Sequence, residues 1–284
     1  MKNSAHSVGI VIPNWNGITL LAKHLNAVVE NCQNCPIYII DDCSQDDSVS
    51  YVKKNFPNVH VIRTDSHKGF ASTANAGVRE IKTDIVVLLN TDVEPTKGFL
   101  EPLISHFSDS SVFAVGCMDR SMENGKVILR GRGIGRWEKG FYIHKRGEVD
   151  KSDTAWVSGG SSAFRRSVWM QLGGMDTRFN PFYWEDIDLS YRAVQAGYTI
   201  LFESKSVVNH YHEEGSIKEK FSATYVRMIA YRNQFIFSLK HLSSFSQKCA
   251  FLFWVPIRLI QSLYHRDTSM TIGFFSAIVR FFYR

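Results

Sequence analysis

The first apolar run, Val8 to Pro13, fills successive positions without alternation and is closed by proline. Such a run reads as a strand buried on both faces. Leu20, Leu21, His24, Leu25, Val28 and Val29 then recur at helical spacing. Ile37 to Asp41 predicts a second strand, Ser44 to Asp47 a loop, Val49 to Asn55 a short helix and Val59 to Arg63 a third strand. Ala71 to Lys82 reads as a helix, Ile85 to Leu89 as a fourth strand and Val112 to Cys117 as another. Between the last two, Thr96 is expected to cap a helix carrying Phe99, Leu100, Leu103, Ile104 and Phe107. Strands alternating with helices imply βαβ units and a mainly parallel sheet, an α/β fold. Ligands gather outside the carboxyl ends of such strands, where Asn14, Asp41 and Asp92 lie.

Periodicity weakens from Asp119 to Asp150, a stretch rich in glycine and charge. It predicts a loop-rich insertion with short strands that faces a substrate. Ala155 to Phe164 joins a strand to a Gly-Gly turn, and Arg165 to Leu172 predicts a short helix ended by Gly173-Gly174. A further helix opens at Glu185 or Asp186 and stops at Gly197, a natural glycine terminator. Thr199 to Phe202 and Val207 to Asn209 read as short strands, and Tyr225 to Lys240 opens a helical tail. There is no internal repeat.

Composition changes this picture in two places. The chain has 284 residues, 44% hydrophobic and 21% charged, which suits one large or two smaller globular domains. Its charge is uneven: residues 221–284 hold eight Lys/Arg against one acid, so the tail carries +7 and the preceding residues about −1 of the net +6. A near-neutral body disfavours nucleic acid as partner. The tail is basic and aromatic, but Pro256, Arg258 and Arg280 interrupt its apolar runs before they reach the ~20 residues a spanning helix needs. That pattern predicts a segment lying on a membrane surface; the plainer alternative is a helical pair packed on the body. The five cysteines, an odd number, and the lack of a signal peptide suit a reducing cytosol. Cys32 and Cys35 form a lone CxxC without the second pair a zinc site needs, and read as inert thiols.

The candidate chemistry centres on carboxylates. Glu185 and Asp186 stand between the aromatic run Phe182, Tyr183, Trp184 and the start of a helix, with Asp188 close behind. Apolar surroundings raise a carboxylate's pKa and make it a better base. Asp92 follows an apolar run in VVLLNTDVEP. Together they predict a base and a metal-diphosphate site on one cleft. The plainer alternative is that the three acids merely favour a helix N-terminus. Asp188 is also placed to pair with Arg192, four residues on.

In order, the chain carries IPNWNG, IIDDCSQDDS, HKGFASTANAG, LLNTDVEP, VSGGSSAFRRSVWMQLGGMD, FYWEDIDLSYRAVQAGY and NHYHEEGS. This series strongly resembles family-2 glycosyltransferases, inverting enzymes of GT-A fold, and within them the rhamnosyltransferase-like branch. The likeness runs from about Val8 to Ser216. It implies that Pro13, Asn14 and Asn16 lie along a nucleotide, and that Asp41 and Asp42 supply the carboxylate that accepts from its base. Lys68, Gly69 and Asn75 would close over the nucleotide, Gly69 adopting a backbone forbidden to side chains. Asn90, Thr91 and Asp92 occupy the DxD position, where this branch commonly begins with Asn. Asp92 would ligate Mg²⁺ or Mn²⁺, with His210 as a second ligand and His212 as the neighbouring alternative. A nitrogen donor favours tolerance of Mn²⁺. Gly159 and Gly160 match the turn beside the donor sugar, Asp186 matches the catalytic base, and Glu185 would shape the site or touch the acceptor. Tyr183 and Trp184 would stack on an acceptor sugar; ordinary core packing is the alternative.

The expectation is therefore an α/β GT-A protein in three parts: residues 1–117 binding a nucleotide-diphosphate sugar, 118–217 binding the acceptor and holding the catalytic acids, and 218–284 a helical tail. Its expected reaction is metal-dependent transfer from a UDP- or dTDP-sugar to a hydroxyl of a glycan or lipid-linked acceptor in cell-surface polysaccharide assembly. Its expected location is the cytoplasmic membrane face, as a peripheral protein. The alternative is a non-catalytic nucleotide-sugar-binding scaffold subunit, against which the intact Glu185-Asp186 and Asp92 speak. A nucleotidyltransferase would need a glycine-rich basic loop where Pro13-Asn14-Trp15-Asn16 stands, and a dehydrogenase a GxGxxG after the first strand.

Overall fold

Unbroken apolar runs become strands of one sheet because only a sheet covered on both faces can bury them. The computed structural model describes residues 6–123, 125–211 and 220–282. Its strands are β1 (Val8–Asn14), β2 (Ile37–Asp41), β3 (His60–Arg63), β4 (Ile85–Leu89), β5 (Val93–Pro95), β6 (Val112–Glu123), β7 (Lys126–Arg130), β8 (Gly133–Glu138), β9 (Phe141–Arg146), β10 (Ser161–Arg165) and β11 (Thr199–His210). The helices are α1 (Ile18–Asn31), α2 (Ser48–Asn55), α3 (Phe70–Glu80), α4 (Leu100–Ser105), α5 (Arg166–Gln171), α6 (Glu185–Gln195), α7 (Ala223–His241), α8 (Phe245–Tyr264) and α9 (Ser269–Phe282).

The main sheet runs β3-β2-β1-β4-β10-β6-β11-β5, with β7 paired to β6. Its first four strands are parallel, as the βαβ reading requires. The other half is mixed: β10 is antiparallel to β4 and β6, β5 to β11 and β7 to β6, while β11 is parallel to β6. Period-two alternation splits β1 between two cores. Ile10 and Ile12 join Leu21, Leu25 and Phe99 on one face; Val11 joins Ala74, Val78 and Trp169 on the other.

Four elements depart from expectation. Thr96 caps no helix: its hydroxyl donates to the Val207 carbonyl at 2.8 Å, tying the end of β5 to β11, and α4 starts four residues later. The strand expected from Ala155 begins only at Ser161; the residues before it turn along the cleft. Thr199 to Asn209 is one strand whose register shifts between Glu203 and Val207, which breaks its apolar pattern in two. Within Asp119 to Asp150, β6 extends to Glu123, pairs with β7 in a hairpin, and a separate β8–β9 ribbon follows. β6 thus runs unbroken through residue 117, where the sequence pattern divides the chain.

The last three helices pack on the body. Ser222 caps α7 and a Ser244/Gln247 capping box starts α8. A third core joins Phe235, Phe237, Phe251, Val255 and Ala277 to Phe141, Tyr142, Phe179, Trp184 and Ile187. Four of the eight Lys/Arg in residues 221–284 are engaged internally. Arg232 donates to the Asn180 carbonyl, Arg280 to the Arg178 carbonyl, Lys240 pairs with Asp176 and Asp188, and Arg258 lies over the Phe141 ring. Among the described residues no helix is long and apolar enough to cross a membrane.

Candidate active site

The parallel strands deliver their polar ends to one edge. Asn14 and Asp41 are register partners there. Asn14 donates to an Asp41 oxygen at 2.9 Å, and the other Asp41 oxygen accepts from Ser44 N–H at 3.0 Å. Asp41 is fully buried behind the wall of the cleft, whereas Asp42 opens onto it. The carboxylate of Asp42 accepts from the N–H groups of Lys68 (2.9 Å) and Gly69 (2.7 Å) and contacts His67 Nδ1 at 2.8 Å. Gly69 has φ +92°, and a Cβ there would stand 2.9 Å from Pro181 Cα, so this approach requires glycine.

One cavity of about 550 Å³ lies along this edge. Pro13, Asn14, Asp42, Gly69, Asn90, Asp92, Gly159, Gly160, Tyr183, Glu185, Asp186 and His210 all line it. Asn16, Thr91, Asp41 and Trp184 do not. Lys68 and Asn75 border a smaller recess of about 190 Å³ that shares the Asp42 wall. Asn75 is structural in its contacts: it donates to Met175 O at 2.7 Å and accepts from Met175 N–H at 2.9 Å and Trp169 Nε1 at 3.2 Å. Asn16 Oδ1 accepts from Gln45 N–H at 2.6 Å and shapes the loop after β1. Trp184 is 5% exposed and packs on Phe237, with ring centroids 5.2 Å apart, while Tyr183 is 42% exposed at the cavity.

The acidic pair is set by backbone geometry. Tyr183 and Trp184 both have left-handed φ, +71° and +77°, immediately before α6. Such non-glycine conformations cost about 1–3 kcal/mol each and persist only where the surroundings impose them. They aim Asp186 back at the Gly-Gly turn: one oxygen accepts from Gly159 N–H at 3.3 Å, the other from Ile187 N–H at 2.8 Å. Burial raises the Asp186 pKa against these bonds. Burial, followed by the Asp186 charge, raises Glu185 well above the carboxylate range, and its Oε2 is buried without a hydrogen-bond partner. Asp188 takes no part in the cavity; its buried carboxylate holds Arg192 at 2.7 Å, the i,i+4 pair expected, plus Lys240 and His241 at 2.8 Å.

At the far end, Asp92 and His210 stand together, with Nε2 3.4 Å from the Asp92 carboxylate and Nδ1 3.2 Å from Asp119. Burial alone would depress this imidazole, but hydrogen bonds to Asp119 and Asp92 hold its pKa up to about 10. The donor set fits a divalent cation bound jointly with a substrate, provided the cation displaces the imidazole proton that Asp92 otherwise holds. A carboxylate and an imidazole face the cavity, and Asp119 orients the imidazole from behind, the usual support of a metal-binding histidine. No group of three or more His, Cys, Asp or Glu suited to a metal exists among the described residues, so phosphate and water oxygens would complete the shell. His212 lies outside the described residues.

Several lining residues went unassigned in the sequence. Trp15 stacks on His67 at 4.1 Å, and Lys220 Nζ lies 4.8 Å over its ring; Trp15 stood inside the first quoted segment and His67 inside the third. Glu123 and Arg130, an ion pair on the β6–β7 hairpin, and Phe221 carried no local signal. All five cysteines are free; burial keeps Cys32 and Cys35 above the usual thiol pKa and pushes Cys117 up to about 12.

Residues 9–173 match the profile described as glycosyl transferase family 2. The chain is 27% identical over 220 residues to a pre-mycofactocin glycosyltransferase of Mycobacterium tuberculosis, covering 74% of this chain and 43% of the relative. Thus it spans less than half of that relative's length. It is 25% identical over 205 residues to an N-acetylglucosaminyl-diphospho-decaprenol L-rhamnosyltransferase of the same species, covering 62% of this chain and 66% of the relative. Its fold matches the mannosyltransferase PcManGT from Pyrobaculum calidifontis, solved with GDP-Man and Mn2+, at a TM-score of 0.60 and 15% identity over 99% of this chain and 88% of that one. The mixed, helix-flanked sheet is a GT-A-like core, followed by the helical region α7–α9.

Proposed function

The chain belongs to glycosyl transferase family 2, and from that premise we propose that it is an inverting glycosyltransferase using a UDP- or dTDP-sugar. The observation that carries this reading is that Asp186, Asp92 and His210 line one cavity large enough for an activated sugar. Asp186 takes the proton of an acceptor hydroxyl as that oxygen bonds to the anomeric carbon. The bond from that carbon to the diphosphate breaks on the opposite face, so the configuration inverts and the nucleoside diphosphate leaves. Asp92 and His210 hold Mg²⁺ or Mn²⁺, which when bound neutralises charge on the departing diphosphate. Asn14, Asp42 and Gly69 form the nucleotide end of the cleft, with Pro13, Asn90 and the Gly159-Gly160 turn along the donor. Glu185 shapes the acceptor side, where Tyr183 offers an aromatic ring. Asn16, Asp41, Lys68, Asn75 and Thr91 support this wall from behind or beside it.

The relative named for transfer to a diphospho-decaprenol carrier supports a lipid-linked or glycan acceptor. Such an acceptor brings the protein to a membrane surface, and the outer faces of α8 and α9 suit that contact. Phe253 is 62% exposed and Tyr264 84%, and Leu252, Ile260, Phe275 and Phe282 are exposed beside them. Exposed Arg227, Lys248 and Arg266 supply positive charge, and the expected place is the cytoplasmic face. A thermal-shift series with UDP-, dTDP- and GDP-sugars, with and without Mn²⁺, tests the function. A ligand that binds the native state raises its apparent stability. Stabilisation by at least one sugar nucleotide that requires Mn²⁺ is expected; no stabilisation by any of them contradicts the proposal.

A further inference from the structure

We propose that Asn233, in the middle of α7, is a positioning residue for the base: it fixes the left-handed turn from which Asp186 projects. The inference rests on the reading of Asp186 as that base. Asn233 is fully buried in a helix whose buried face also carries Arg232, Ser238 and the apolar Ile229, Phe235, Ile236 and Phe237. Its Nδ2 donates to three backbone carbonyls of one short segment, Phe179 at 2.7 Å, Phe182 at 2.9 Å and Tyr183 at 2.8 Å. An amide nitrogen has two hydrogens, so one is shared between two acceptors, and no other uncharged side chain of that size presents as many. Its Oδ1 accepts from Arg232 Nε at 2.9 Å, which fixes which end of the amide faces the turn. Arg232 itself reaches the Asn180 carbonyl at 2.5 Å.

The grip continues along one face of the helix. Phe237, one turn on, packs on Trp184; His241, another turn on, contacts Asp188 at 2.8 Å, with Lys240 beside it. Positions 233, 237 and 241 are four apart and share that face. They touch, in order, the turn before α6, its last residue and the first turn of α6. Tyr183 and Trp184, both left-handed, are themselves held by the first two contacts, and Asp186 lies between the second and third. The tail helix therefore holds the segment that aims the base, while Asn233 itself does not line the cavity.

The test is turnover of Asn233→Leu, close in volume but without donors, and Asn233→Ser, which keeps one. Nucleoside diphosphate release is measured from whichever UDP-, dTDP- or GDP-sugar the wild type consumes, together with affinity for the free diphosphate plus Mn²⁺. Misplacement by an ångström costs about 10²-fold in rate. The leucine variant should lose about that much in kcat and the serine variant less, with donor KM and diphosphate affinity unchanged. Amide exchange across residues 183–188 should quicken in both. A folded variant with wild-type kcat overturns the assignment, as does one whose donor affinity falls together with kcat. If leucine is not accommodated, the serine variant decides by the same criteria. A wild type that consumes no donor contradicts the reading of Asp186 instead; unchanged exchange at 183–188 would then still overturn the role of Asn233.

Discussion

Two adjacent carboxylates meet different surroundings, and that difference assigns their work. Asp186 keeps two backbone N–H donors on separate oxygens, whereas Glu185 has a buried oxygen with none and the Asp186 charge beside it. Glu185 therefore retains its proton to higher pH, and Asp186 is the one that ionises first. A base with a raised pKa is still protonated where an ordinary aspartate is charged. Activity should therefore rise with pH, its acid limb lying above the usual aspartate value of about 3.9; a limb at or below that value would contradict the burial argument. Asp186→Asn should reduce kcat by about 10²–10⁴-fold while donor affinity, read by calorimetric titration, persists. Asp92→Asn should remove the Mn²⁺-dependent part of donor affinity, and unchanged Mn²⁺ dependence would count against Asp92 as a ligand. Placement beside aromatics at a helix start made Glu185 and Asp186 visible in sequence, and a strand end did the same for Asp92. Asp119, Glu123 and Arg130 were invisible because strand pairing brings Asp119 under His210, 91 residues away, and a hairpin in a weakly patterned stretch brings the other two to the cavity.

At the scale of elements, buried ion pairs join the tail to the body. Asp188 on α6 holds Arg192, Lys240 and His241, and Asp176 holds Arg178 and Lys240. Burial pushes the Asp188 pKa up, but these partners outweigh it and the value is lowered; the same holds for Asp176. A depressed folded pKa means stability that is present above the unfolded value and lost as pH falls through the folded one. The tail contact should thus loosen only in acid, below the ordinary carboxylate range. Asp188→Asn should cost about 1–3 kcal/mol at neutral pH, since it removes the shared charged acceptor of half-buried Arg192, Lys240 and His241 while Lys240 keeps Asp176 and Arg192 keeps two carbonyls, and should flatten that acid-side loss in thermal melts. An unchanged melting temperature would show the network to be dispensable. The i,i+4 partner of Asp188 was legible from spacing, but its tail partners were not, because helical periodicity tells that a face is buried and not against what. Likewise the first four strands followed from their apolar runs, while β11 looked like two strands because its register shift interrupts the pattern.

At the scale of the molecule, the tail is both buttress and exposed surface. Its inner face closes the third core, and Arg232, Arg280 and Lys240 are bound by carbonyls and carboxylates of the body, which composition alone could not reveal. What remains outside is a mostly apolar surface, with Phe253 and Phe275 each 62% exposed, flanked by exposed Arg227, Lys248 and Arg266. Replacing both with serine should reduce cosedimentation with phosphatidylglycerol vesicles without altering donor binding; equal sedimentation of variant and wild type would remove these faces from the account. The sugar-transfer claim itself is tested most directly by nucleoside diphosphate release from a panel of UDP-, dTDP- and GDP-sugars, wild type against Asp186→Asn, with Mn²⁺ and with chelator. Release by the wild type with at least one donor, abolished by chelator and nearly abolished in the variant, is predicted. No release with any donor, or equal release by the variant, would contradict it.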